Sequence, residues 1–103
     1  MPFILPTVKQ YTKKTTFTFT SASDVSQTAV TVSSSMTVGK SVSFVVDLYD
    51  LYVNFDAAAT TSSMLVPAGS GFSQDNMTIT GTIRILNRTA GENGRIRGFV
   101  AGD

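Results

Sequence analysis

The sequence predicts an all-β fold: a single small antiparallel β-sandwich, jelly-roll-like, with an extended N-terminal arm. Three observations carry that expectation. Apolar residues recur with a period of two at Phe17 and Phe19 and again at Ile83 and Ile85, the spacing of a strand with one buried face. About a quarter of the 103 residues are Ser or Thr, and threonine favours a pleated, half-buried surface. Turn material rich in Gly, Ser and Asn interrupts the chain at short intervals, leaving no run long enough for an ordinary helix. The length allows one domain, divided into an arm over residues 1–12 and a sandwich over 13–103.

In the arm, Pro2 and Pro6 bracket Phe3, Ile4 and Leu5 and block both helix continuation and central-strand pairing. Such apolar residues either pack on the chain's own sandwich or lie on a neighbour. Residues 14–20 alternate hydroxyl and aromatic side chains as one strand. Ala29 to Val32 form a second, bounded by Ser33, Ser34 and Ser35, and Gly39-Lys40 marks a turn.

The stretch from Val42 to Phe55 places Leu48, Leu51, Tyr52 and Phe55 at helical spacing. Its β-branched and aromatic content favours two strands broken between Asp47 and Asp50, with a short helical turn as the alternative at the break. Met64-Leu65-Val66 is a short strand stopped by Pro67. Residues 67–76 read as the longest loop, where Phe72 either caps the core or anchors a contact. Met77, Ile79, Ile83 and Ile85 share one face of an amphipathic strand, with Gly81 marking a bulge or a close backbone approach. After a turn at residues 91–94 the chain returns over residues 95–100, and the last two strands read as a hairpin.

Composition excludes several chemistries. Without cysteine there are no disulfides, zinc–thiolate sites or thiol nucleophiles, and without histidine the commonest general base near neutral pH is missing. With a single glutamate as well, the sequence points to no enzyme, no catalytic residue and no cofactor. A net charge of +1 supplies no field for nucleic acid. The start lacks a basic segment and a signal-length apolar run, and no stretch approaches the roughly 20 apolar residues of a membrane helix. The expected location is therefore a cytoplasm or a particle assembled there, with no membrane partner.

Four arginines concentrate near the C-terminus. Arg84, Arg88, Arg95 and Arg97 fall on the expected hairpin, with Arg84, Arg95 and Arg97 opposite the isoleucines in parity. They read as a solvated strand face, as a surface for an acidic protein, or, least favoured without interleaved aromatics, as a nucleic-acid contact. Asp47, Asp50 and Asp56, with Asp24 and Asp75, match no calcium-loop spacing and read as turn residues, so no metal is expected. The mid-chain acids and C-terminal arginines also permit complementary pairing between identical copies. Asn76 and Asn87 fit the glycosylation pattern without a secretory signal, and the glycine pairs 69/71 and 91/94 read as turns.

A cysteine-free, Thr/Ser-rich β domain with an apolar arm resembles the small virion proteins of tailed bacteriophages, above all capsid decoration (cement) proteins. The segment from Ile83 to Val100, two strands around a Gly-Glu-Asn-Gly turn, is similar to the terminal hairpins of viral jelly rolls. The resemblance implies a non-enzymatic structural subunit that binds the major capsid protein or other virion subunits and associates with itself, as a trimer. Its contact residues are expected to be Phe3, Ile4, Leu5, Phe72, Arg84, Arg88, Arg95 and Arg97. Tail, neck and fibre-head components share these traits. A carbohydrate-binding sandwich is the alternative from another class, with Phe72, Asp75 and Asn76 presented to a sugar.

Overall fold

The computed structural model describes residues 11–103. Among them eight strands form: β1 (Lys13–Thr20), β2 (Gln27–Thr31), β3 (Gly39–Asp47), β4 (Leu51–Phe55), β5 (Met64–Val66), β6 (Gly71–Gln74), β7 (Thr82–Asn87) and β8 (Arg95–Gly102). A single 3₁₀ turn over Val32–Ser34 follows β2, where the triple serine ends the strand.

The strands make two antiparallel sheets, ordered β1-β8-β3-β6 and β2-β7-β4-β5. Pairing is nested: β1 with β8, β2 with β7, β3 with β6 and β4 with β5, and the contacts β3–β8 and β4–β7 join the nested pairs into sheets. A long hairpin rolled up on itself in this way is a jelly roll. The expected all-β sandwich is the observed architecture.

Alternation along each strand builds the core. Phe17, Val42, Phe44, Val46, Ile96 and Val100 of the first sheet meet Leu51, Val53, Val66, Ile83 and Ile85 of the second, all buried. The first sheet's middle row runs Phe17–Gly98–Phe44 and on to Phe72. Gly98 separates two buried aromatics, and a Cβ there would lie 2.6 Å from the Phe44 Cα.

Several local expectations need correction. β7 and β8 are not a hairpin, because they belong to different sheets and the chain between them crosses the sandwich. Two strands each with one buried face look alike in sequence whether they pair edge to edge or face each other across a core. Gly39 is not a turn but the start of β3: its N–H and C=O both bond to Ile79 at 2.8 Å, and a Cβ would sit 2.8 Å from Val100 Cγ1. The residue 67–76 loop contains the edge strand β6, disguised because only Phe72 of its four residues is large and apolar. The amphipathic strand expected from Met77 starts only at Thr82. Before it, the Asp56 carboxylate gathers the N–H groups of Thr80, Gly81 and Thr82 at 2.8, 2.6 and 3.1 Å, a close approach at Gly81 rather than a bulge. The break between Asp47 and Asp50 falls where expected, without a helical turn.

Candidate protein-interaction surfaces

A jelly roll gathers the connections β1–β2, β3–β4, β5–β6 and β7–β8 at one end. Here their polar groups interlock. Arg95 holds Asp47 through two parallel bonds of 2.8 Å, and Arg97 adds a third contact to Asp47 at 3.0 Å. Arg88 donates to Asp50 at 2.8 Å, whose other carboxylate oxygen accepts the Ala68 N–H at 2.7 Å. Asn87 points inward at this end and donates from Nδ2 to Ser23 O, Asp24 Oδ1 and Asn93 Oδ1, while Asp24 also accepts the Gly91 N–H.

These partners set the acidity of the rim. The Arg95 hydrogen bond holds the Asp47 carboxyl below its usual range, the Ala68 N–H followed by Arg88 does so for Asp50, and the Gly91 N–H followed by Asn87 for Asp24. Burial pushes Asp56 up, but the Thr80, Gly81 and Thr82 donors outweigh it and the net shift is down. Carboxylates held down in this way are weak proton acceptors, and a general acid needs the opposite shift. Among the described residues no three acidic, His or Cys side chains come together to hold a metal.

Above this ion-paired rim three apolar side chains stand in the open: Val25 (65% exposed), Leu48 (54%) and Tyr49 (46%). Leu48 has φ 71°, in the left-handed region that costs a side-chain-bearing residue roughly 1–2 kcal/mol. The flanking Asp47 and Asp50 are fastened by Arg95, Arg97 and Arg88, which fixes the turn and keeps Leu48 and Tyr49 outward.

The expected contact residues do not share one surface. Phe3, Ile4 and Leu5 lie outside the described residues. Phe72 is half-buried on β6, with its ring 5.6 Å from Phe44 and 6.0 Å from Phe55, so it packs on the core. Arg84 is on the second sheet, donating to Ser26 Oγ at 3.1 Å and Ser26 O at 2.9 Å. Arg95 and Arg97 lie on the first sheet and Arg88 in the connection between, so the positive face expected from parity breaks up with the hairpin. Arg88, Arg95 and Arg97 also find their aspartates within the chain. Of the groups expected to pair between copies, Arg88, Arg95 and Arg97 with Asp47 and Asp50 are paired inside each one, while Arg84 bonds to Ser26 and Asp56 to backbone N–H groups.

Sequence reasoning passed over Leu48, Tyr49 and Val25. Their signal is legible in retrospect: two large apolar residues in the middle of an Asp-Leu-Tyr-Asp turn, where hydrophilic residues are usual. It also passed over a shallow cleft of about 420 Å³ on the outer face of the first sheet, lined by Phe99, Ser41, Ser43, Ser73, Gln74 and Asp75. Ser43 and Ser73 share a hydrogen bond of 2.7 Å, Tyr11 donates to Asp75 at 3.4 Å, and the Lys14 ammonium lies 4.5 Å over the Phe99 ring. A ring beside hydroxyls, an amide and a carboxylate suits a polar, hydroxyl-rich ligand. No protein-family model, curated protein or solved structure matches the chain.

Proposed function

We propose that this chain is a non-enzymatic structural virion protein that reinforces a phage capsid by binding neighbouring protein subunits. The observation that carries the reading is the strained, exposed Leu48 with Tyr49 beside it, raised on a rim whose charges are already paired. Exposed apolar residues on a rigid base are the usual form of a contact anchor, and a strained backbone at such a position is more often functional than accidental. Jelly rolls recur among viral structural proteins, which supports the reading by analogy of fold. The apolar arm at Phe3, Ile4 and Leu5 supplies a second contact to the shell.

The test is occupancy on purified particles. Wild-type protein binds at a fixed copy number, and the double variant Leu48→Asp, Tyr49→Ser loses at least tenfold, the effect of about 1.4 kcal/mol or more at an anchor position. Its β circular-dichroism spectrum stays unchanged, because both side chains are exposed. Unchanged occupancy contradicts the role of this rim.

A second reading, a carbohydrate-binding module, is favoured by the Phe99 cleft alone. It predicts specific glycan-array binding that Phe99→Ala removes, and a blank array sets it aside.

A further inference from the structure

A β-sheet edge left open invites another strand, and natural sheets blunt their edges with short strands, bulges or charge. Three of the four edges in this sandwich are blunted: β5 has three residues, β6 has four, and β2 has five with a register shift between Thr28 and Val30. β1 differs. It runs eight residues with unbroken register against β8, from Lys13 opposite Gly102 to Thr20 opposite Arg95. Among the described residues nothing pairs with its other side.

We infer that β1 is an interaction edge for a second copy of this chain, the two β1 strands pairing antiparallel about a two-fold axis to make one continuous eight-stranded sheet. The strand is complementary to itself. Pairing that keeps buried and exposed faces aligned matches residues of like parity. With the axis at Thr16, Thr16 meets Thr16, Lys14 meets Thr18, and Thr15 meets Phe17; with the axis at Phe17, Thr16 meets Thr18 and Lys14 meets Thr20. Neither register opposes lysine to lysine, and threonine pairs are favourable across strands. Of the two lysines on β1, Lys14 is turned onto its own sheet by its contact with Phe99, and Lys13 lies at the strand's first position. A two-fold contact uses the same patch on both copies and closes at two, so the edge is consumed rather than propagated into a fibre.

The absence of cysteine makes the test clean, since any disulfide comes from an introduced pair. Directly opposed residues across antiparallel strands have Cβ atoms about 4.5–5.5 Å apart, close to disulfide range. Under mild oxidation Thr16→Cys should convert mostly to a covalent dimer if the axis is at Thr16, and Thr16→Cys mixed with Thr18→Cys should do so if it is at Phe17. Ser73→Cys, also exposed and on the edge β6, should stay monomeric. Wild-type protein should sediment as a dimer at the highest soluble concentration. Cross-linking no greater than that of Ser73→Cys in both arrangements overturns the proposal, as does a wild-type monomer. This experiment uses the isolated protein, so its result is independent of attachment to any particle.

Discussion

Single residues decide how closely neighbouring strands of one sheet approach. Gly98 is the clearest case, with Phe17 on one side, Phe44 on the other and Phe44 Cα 2.6 Å from where a Cβ would be. Gly98→Ala should destabilise by about 1–3 kcal/mol, the usual cost of overpacking a filled core. In a domain of this size that lowers Tm by roughly 4–8 °C per kcal/mol, and thermal unfolding reads it directly. An unchanged Tm would mean the row relaxes freely. In sequence Gly98 reads only as a gap in the Ile96–Val100 alternation, since what it accommodates comes from β1 and β3. Leu48 is the converse: its neighbours Asp47 and Asp50 read as turn formers, yet its positive φ sits between carboxylates held by arginines dozens of residues away.

At the scale of elements, the period-two strands were legible because alternation is local, and β1, the β3–β4 break and β5 fall where the residue pattern places them. Pairing was not legible. β7 and β8 alternate as a hairpin would, and only the crossing of residues 88–94 between sheets separates the two arrangements. The candidate site went the same way, since its arginines were assigned to one face by a pairing that does not occur. What holds the connections between strands is largely aspartate: Asp24, Asp47, Asp50, Asp56 and Asp103 each anchor a segment distant in sequence and each titrates below its usual value. A carboxyl lowered in the folded state stabilises above the unfolded value, near 3.9 for Asp, and that stability is lost as pH falls through the folded values. Denaturant midpoints should therefore hold steady between about pH 5 and 8, with no histidine to titrate, and drop below about pH 4. A midpoint that rises on acidification would contradict the role of these carboxylates.

For the whole molecule, the jelly roll ties its connections together through the carboxylates of Asp24, Asp47, Asp50 and Asp56. Among the described residues, Leu48, Tyr49 and Val25 stand exposed at one end and the β1 edge lies open along one side. The proposed function rests on that distribution, a surface that would be held against other subunits. Quantitative peptide mass spectrometry of purified virions, with the Leu48→Asp, Tyr49→Ser variant alongside, tests this most directly. Wild-type protein is expected at a constant ratio to the major capsid subunit and the variant depleted at least tenfold, an anchor-sized loss. Protein abundant in the infected cell but absent from the virions would contradict it.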